Sequence, residues 1–345
     1  MKIAILNNCV PFLRGGAEHL ADALAAKLAE YGHQPLLVRV PFRWEPPQKI
    51  IDHMLACRLL RLPNVDRAIA LKFPAFYVPH PNKIFWLLHQ FRQAYDLWGT
   101  RFQGLPDTAD GRAIRDVIVQ ADNSYLPEAR KIYTNSRVTS DRLKKFNGLD
   151  SEVLYPPLLS HSQYLCGEYG DYIFCPGRIN ATKRQRLLAE SMQFCRTPVA
   201  LLVAGKTETA GDAEAIQALA GRSGMEKRIR FIDRFIAESE KVEWFSQSLG
   251  CAYIPYDEDS YGYVTLESYL SRKPVITCTD SGGTDALVKD GVTGHRVAPE
   301  PRALAAAMDQ LYADKQKARN MGEAGYALVQ SLRINWDNVV EKLTR

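Results

Sequence analysis

Two carboxylates at a spacing of eight residues stand out in the second half of the chain. Asp259 and Glu267 flank the stretch Ser260-Tyr261-Gly262-Tyr263, which follows the apolar run 251–254. This order predicts a strand, a loop and a helix, and a helix start near Ser260 would place Glu267 about two turns in, on a similar side to Asp259. The free N–H groups at the N-terminus of a helix bind anions, and carboxylates accept hydrogen bonds from hydroxyls. The segment suits a phosphorylated, polyhydroxylated ligand, although an N-cap Asp and a solvated helix Glu would give the same spacing.

Two basic residues precede this stretch at the end of another predicted strand. Arg178 and Lys183 follow the apolar run 172–175 and are five positions apart. They could converge on a diphosphate, with Arg as a bidentate fork and Lys as a point charge, or they could be solvated surface charges. Because ligands of open α/β sheets bind at the carboxyl ends of strands, both sets of residues can line one cleft. Cations for phosphates and carboxylates for hydroxyls together describe a nucleotide-sugar site.

The first half of the chain has weaker signals at corresponding places. Gly15 and Gly16 follow the predicted strand 2–6, where glycine lets a ligand approach the backbone closely, although loop geometry alone also explains the pair. His89 follows the apolar run 83–88 and could reach a ligand or serve as a hydrogen-bonded structural residue.

Strands and helices alternate in two series of similar size. The irregular stretch 156–170, rich in Pro, Ser, His and Gly, is the predicted linker between them. At 345 residues the chain also exceeds the usual size of a single core. We therefore predict an α/β protein with two facing Rossmann-like domains and an interdomain cleft.

Composition limits the environment and the partners. The formal charge of +5 is mild for this length; it does not indicate nucleic acid, and it suits an anionic ligand or membrane surface. The seven cysteines form no CxxC pair, which predicts free thiols in a reducing compartment. The start is too soon polar for a signal peptide, and no run approaches about 18 apolar residues. We expect a cytoplasmic protein.

Other chemistries lack their motifs. The sequence has no HExxH, no Cys/His cluster with metal-ligand spacing and no GxxxxGK[ST] loop. It also lacks a GxSxG elbow, and no GxGxxG follows the first strand. We predict no bound metal and no cofactor beyond the substrate.

Taken in order, five features of the chain resemble the retaining glycosyltransferases of family 4, which have the GT-B fold. The resemblance covers nearly the whole sequence, and it is the order of the pieces that makes it specific. The pieces are Arg14-Gly15-Gly16-Ala17-Glu18, His89, the run from Tyr133-Thr134-Asn135-Ser136 to Tyr155-Pro156-Pro157, Gly177-Arg178 with Lys183, and Glu267-Ser268 before Lys273-Pro274-Val275.

The resemblance implies roles for both halves. Residues 1–157 would bind the acceptor, and residues 158–332 the nucleotide sugar, while the helix in 333–345 would cross back onto the first domain. The implied acceptor-side residues are Gly15, Gly16 and Glu18, with Gly16 also against the donor phosphate and His89 beside the transferred sugar.

In the second half, Arg178 and Lys183 would bind the diphosphate and stabilise the leaving group. The loop Asp233–Ile236 would flank the base, with Arg234 and Phe235 beside it. Glu267 would bind the ribose, and Asp259 would contact the sugar hydroxyls. The sugar or phosphates would also meet the backbone of Ser260, Tyr261, Gly262 and Tyr263. Asp259 departs from the Glu of the family motif and is one methylene shorter. A closer loop or a bridging water would compensate, or Glu258 could stand in.

The implied reaction transfers a sugar from a GDP- or UDP-linked donor to a glycan or lipid-linked acceptor, with retention of configuration and without a metal. Domain closure over the donor would exclude water. The alternatives are a GT-B nucleotide-sugar epimerase and a non-catalytic two-lobed sugar-nucleotide-binding protein. Lys144 and Lys145 could aid a peripheral inner-membrane contact, or they could form a solvated helix face.

Overall fold

The computed structural model describes residues 1–12, 15–159 and 162–345, and the chain divides into two compact units. The first unit contains Met1–Leu159 and Asn335–Arg345, and the second contains Ser160–Ile334. Each unit is built on a six-stranded sheet.

The first unit has a parallel sheet in the order β2-β1-β3-β4-β5-β6. Its strands are β1 (Lys2–Cys9), β2 (Gln34–Pro41), β3 (Arg67–Lys72), β4 (Lys83–His89), β5 (Lys131–Thr134) and β6 (Glu152–Val153). Its first helices are α1 (Gly16–Glu30), α2 (Lys49–Leu59), α3 (Ala109–Tyr125) and α4 (Arg137–Asn147). The central strands are apolar along most of their length because helices and loops cover both faces of a parallel sheet. Ser136 caps α4 by accepting a hydrogen bond from the Thr139 N–H at 3.1 Å.

The second unit repeats this plan in the order β12-β11-β10-β7-β8-β9. Its strands are β7 (Tyr172–Pro176), β8 (Ala200–Ala204), β9 (Ile229–Ile232), β10 (Gly250–Ala252), β11 (Val275–Cys278) and β12 (Gly294–Val297). Its helices are α5 (Gln185–Ser191), α6 (Ala210–Ala220), α7 (Glu238–Gln247), α8 (Tyr263–Leu270), α9 (Pro301–Ala313) and α10 (Lys315–Ser331). All pairings in this sheet are parallel.

The predicted α/β architecture is confirmed, and one strand was missed. The edge strand β12 contains Gly294, His295 and Arg296, so it lacks the apolar run by which the inner strands are predicted. In the part of the chain that the structure describes, no helix combines the length and apolar character needed to cross a membrane.

A last helix, α11 (Trp336–Thr344), returns to the first unit. The buried Trp336 ring packs edge-on against Trp86 of β4, with centroids 6.3 Å apart, and its indole N–H donates to the Leu158 carbonyl at 2.8 Å. Arg67 donates to the Leu343 carbonyl at 2.9 Å, further along the helix. Helix α11 thereby completes one face of the first sheet.

We expect Trp336→Ala to destabilise the first unit by roughly 3–5 kcal/mol, because it removes a buried aromatic side chain and its hydrogen bond. The urea midpoint, followed by circular dichroism, should fall. Trp44→Ala is the matched control, since Trp44 is exposed and its loss should change the free energy of unfolding by less than about 0.5 kcal/mol. Equal midpoints for the two variants would contradict the role assigned to α11.

Candidate functional site

A partly buried arginine connects the loops that follow β10 and β11. The Arg184 guanidinium donates to the carbonyls of Ile254 at 2.7 Å and Pro255 at 2.8 Å. It also forms a bidentate ion pair with Asp280, in which both nitrogen–oxygen distances are 2.8 Å. Charge-assisted, bidentate hydrogen bonds are the strongest of their kind, so Arg184 fixes both loops at the carboxyl edge of the sheet.

The loop that contains Glu258 and Asp259, here called the acidic loop, lies directly on the loop that contains Gly282 and Gly283. The Gly283 N–H donates to the Glu258 carbonyl at 2.8 Å. A β-carbon at Gly282 would lie 2.4 Å from the Glu258 carbonyl oxygen, and one at Gly283 would lie 2.7 Å from the Ser260 Cα. Only glycine permits these approaches, so the glycine residues set the position of the segment that contains Asp259.

Lys183 meets the acidic loop at Glu258. Its ammonium contacts the Glu258 carboxylate and donates to the buried Tyr253 hydroxyl at 3.0 Å. The same hydroxyl donates to Glu258 at 3.1 Å. Lys183 and the predicted stand-in carboxylate are therefore brought together, with Asp259 partly buried at the next position.

Arg178 has a different partner. Its guanidinium lies 3.0 Å from the Glu208 carboxylate, and the Arg178 side chain is 68% exposed. The two predicted diphosphate cations thus have separate carboxylate partners, and each is held in an ion pair.

Helix α8 begins at Tyr263, so the predicted start near Ser260 is wrong. Gly262 has φ of 74°, which ends the loop with a conformation outside the helical region. Glu267 consequently lies four residues after the first helical residue, about one turn in rather than two. The Tyr261 side chain is buried, which leaves its backbone for any ligand contact.

Glu267 is buried and only half satisfied. Its side chain is 6% exposed, and Oε1 accepts a hydrogen bond from Lys241 at 2.6 Å. Oε2 has no hydrogen-bond partner among the described residues. The nearby Tyr164 hydroxyl instead donates to Glu238, at 2.5 Å. Burial raises the pKa of Glu267, while Lys241 and Tyr164 oppose that rise.

The loop predicted to flank the base is anchored by its first two residues. Asp233 accepts from the Thr207 N–H at 2.9 Å and from its hydroxyl at 2.8 Å. Arg234 forms a bidentate pair with Glu240, at 2.6 and 2.8 Å. Phe235 follows these two anchors and is 86% exposed, so its ring can receive a planar partner.

The remaining predicted residues lie in the first unit. Glu18 accepts a hydrogen bond from the Gly15 N–H at 2.8 Å and so caps α1, which begins at Gly16. His89 ends β4, with Nδ1 2.6 Å from the Gln90 carbonyl oxygen, which requires Nδ1 to carry the proton. Arg14 lies outside the described residues.

Sequence reasoning missed Arg184, Lys241 and Tyr253. The partners of Arg184 and Lys241 are distant in the chain, so no local pattern indicates them. Among the described residues, no group of three or more His, Cys, Asp or Glu side chains could hold a metal ion.

A family model matches most of the second unit. Residues 170–314 match the model of the family described as Glycosyl transferases group 1. We refer to residues 170–314, by the model they match, as the group 1 domain. The predicted narrower assignment to family 4 stays a prediction.

Curated proteins are similar to part of the chain. A D-inositol 3-phosphate glycosyltransferase from Corynebacterium urealyticum is 26% identical over 175 residues, which are 48% of this chain and 40% of that protein. The chain spans about half or less of the curated relatives it matches, between 33% and 53% of their length.

Two solved structures share the fold over nearly the whole chain. Anabaena Alr3699/HepE, in complex with UDP-glucose, has a TM-score of 0.71 and 18% identity, with 100% of this chain and 99% of that chain covered. Sucrose-phosphate synthase from Thermosynechococcus elongatus has a TM-score of 0.76 and 18% identity, with 99% and 97% covered. The predicted GT-B fold class is confirmed by this likeness.

We expect Gly262→Ala to damage the group 1 domain beyond the cost of a positive φ. The new β-carbon would lie 2.2 Å from the Tyr253 ring, which must then move away from Lys183 and Glu258. Gly224→Ala is the matched control, because Gly224 also has a positive φ, of 82°, but a β-carbon there meets nothing within 4 Å. In urea unfolding, Gly262→Ala should lose roughly 1–3 kcal/mol more than Gly224→Ala. Equal losses would show that the Tyr253 contact is unimportant.

Proposed function

We propose that this chain is a retaining glycosyltransferase that moves a sugar from a GDP- or UDP-linked donor to a glycan or lipid-linked acceptor without a metal ion. One observation carries the proposal: the group 1 domain presents a cation, Lys183, and a half-satisfied carboxylate, Glu267, from loops and helices that follow its parallel strands. A diphosphate joined to a ribose needs these two groups. UDP-glucose bound by the similarly folded Anabaena protein supports a donor of this class.

Lys183 would bind the diphosphate through the one N–H group of its ammonium that has no acceptor among the described residues of the site. An ammonium has three N–H donors, and here Glu258 and the Tyr253 hydroxyl accept from it. A phosphate oxygen would take the third. A cation fixed in this way stabilises the charge that develops on the leaving diphosphate without having to reorganise during the reaction.

Arg178 would join Lys183 by exchanging its partner. Its pair with Glu208 is exposed, and such pairs contribute about 0–1 kcal/mol, so a diphosphate can displace the carboxylate at little cost. The bidentate geometry of a guanidinium suits two phosphate oxygens.

Glu267 would bind the ribose through Oε2. A buried acceptor without a partner costs free energy until a donor reaches it, and ribose hydroxyls are donors of the right kind. Phe235 would lie against the base. Because Glu258 is engaged with Lys183, the proposal leaves the sugar hydroxyls to Asp259.

The first unit would supply the acceptor side. Gly15, Gly16 and Glu18 at the start of α1, with His89 at the end of β4, would contact the acceptor and the transferred sugar. A peripheral contact with the inner membrane through Lys144 and Lys145 belongs to the same proposal.

A thermal-shift panel of UDP, GDP and their sugars tests the donor class. At a ligand concentration of 100 Kd, binding stabilises the native state by about 2.7 kcal/mol, which corresponds to roughly 5–10 °C for a domain of this size. We expect one base to produce this shift and the other to produce less. Adenosine and inorganic phosphate serve as controls. If no nucleoside diphosphate raises Tm, the proposed function fails.

We expect Arg178→Ala and Lys183→Ala each to weaken binding of the preferred nucleoside diphosphate by roughly 10- to 100-fold in calorimetry, because each removes a charge-assisted hydrogen bond. Arg186→Ala is a matched control: Arg186 is also 68% exposed and ion-paired, but with Glu190 on its own helix. Its affinity should equal that of the wild type. Near-normal affinity in both test variants would remove these cations from the diphosphate site.

A further inference from the structure

A lysine that sequence analysis did not single out holds the proposed ribose acceptor. Lys241 of α7 donates to Glu267 Oε1 at 2.6 Å and pairs with Glu238, one turn earlier, at 2.8 Å. The other oxygen of Glu238 accepts from Tyr164 at 2.5 Å and from Gln163 at 3.1 Å. We call these five residues the Lys241 network.

One hydrogen-bond acceptor in the Lys241 network has no partner in the part of the chain that the structure describes. Lys241 is partly buried, its ammonium is shared by two carboxylates, and the Tyr164 hydroxyl is committed to Glu238. Within the described residues, Glu267 Oε2 is the one carboxylate oxygen in this network that is buried without a hydrogen-bond partner. Buried polar groups of native proteins nearly always have partners, so an orphan oxygen on a side chain held firmly at its other oxygen indicates a ligand hydroxyl.

A buried ion pair is a weak source of stability. Replacing such a pair by apolar residues is often neutral or stabilising, because desolvating the charges costs as much as their attraction returns. Stability alone therefore does not account for Lys241, whereas orientation of Glu267 does.

We propose that Lys241 is a positioning residue for nucleotide binding, which aims Glu267 Oε2 at the ribose hydroxyls and keeps the carboxylate charged. The inference rests on the proposed function, because it requires a ribose at Glu267. Lys241 itself does not touch the nucleotide in this proposal.

The charges around Glu267 give the direction of a pH effect. The groups that act on it or face it from neighbouring elements are Lys241 and Glu238 of α7, Tyr164, Tyr253, Tyr263 and Cys251. Burial raises the pKa of Glu267, and Lys241 is the largest influence that lowers it. Without Lys241 the pKa of Glu267 rises further, so Glu267 protonates at a higher pH and loses its negative charge as an acceptor.

The test compares ribose recognition in wild type and Lys241→Met. Calorimetry would measure the affinities for UDP or GDP, whichever binds, and for its 2′,3′-dideoxy form. We expect the wild type to prefer the ribonucleotide by roughly 10- to 100-fold, as for hydrogen bonds to a charged group. Lys241→Met should lose most of this preference while keeping the affinity for the dideoxy form. The pH at which ribonucleotide affinity falls by half should also move upward.

Three further variants separate positioning from folding. Lys241→Arg keeps the charge and should keep both the preference and the pH profile. Lys241→Gln keeps a hydrogen-bond donor without the charge, and it carries the test through its upward pH shift if Lys241→Met does not fold. Lys315→Met removes an exposed ion pair with Asp171 in the same unit and should behave as wild type.

The outcomes distinguish the inference from the proposed function. A wild-type protein that binds no nucleoside diphosphate overturns both. A wild type that binds the ribonucleotide and the dideoxy form equally overturns the inference and the ribose role of Glu267, and it leaves the proposed donor class standing. A folded Lys241→Met or Lys241→Gln variant with the wild-type preference and an unchanged pH profile overturns the inference alone.

Discussion

The guanidinium of Arg184 connects two loops at the carboxyl ends of the strands of the second sheet. It reaches the loop after β10 through two backbone carbonyls and the loop after β11 through Asp280. Both loops are irregular, and irregular backbone at the end of a sheet has little intrinsic order. Because one side chain satisfies acceptors on both, the acidic loop can rest on Gly282 and Gly283 at van der Waals distance, and Glu258 then meets Lys183. The positions of the side chains proposed to bind the ligand therefore depend on Arg184, whose own hydrogen bonds are made to the protein.

The cations proposed to act in this domain are already held in ion pairs. Lys183, Arg178 and Lys241 each have a carboxylate partner. Such pairing limits the repulsion that clustered cations would cause and holds the side chains in defined positions. Two of the groups proposed to meet the ligand remain open: a buried oxygen on Glu267 has no partner among the described residues, and the ring of Phe235 is exposed. Specificity in a site of this kind comes from the groups that remain without partners once the scaffold is satisfied.

The sequence predicts the alternating elements well because apolar runs and helical periodicity are local properties. It also places Lys183, Asp259 and Glu267 after the correct strands, since that placement follows from chain order in a parallel sheet. It does not predict β12, whose edge position requires few apolar residues. Nor does it predict the start of α8, which depends on the conformation of Gly262 against Tyr253. The roles of Arg184 and Lys241 are beyond local reasoning, because the carboxylates that define these roles, Asp280 and Glu267, lie 96 and 26 positions away.

Helix α11 has a consequence for the order in which the chain can fold. The core beneath it combines strands from the beginning of the chain with Trp336, Val339, Val340 and Leu343. The second unit is continuous in sequence, so it can form its own sheet as soon as it has emerged from the ribosome. The first unit, although synthesised earlier, must leave part of one face of its sheet uncovered until the residues of α11 arrive, because α1 covers only the rest of that face. During synthesis this uncovered apolar part of the sheet therefore needs protection from aggregation.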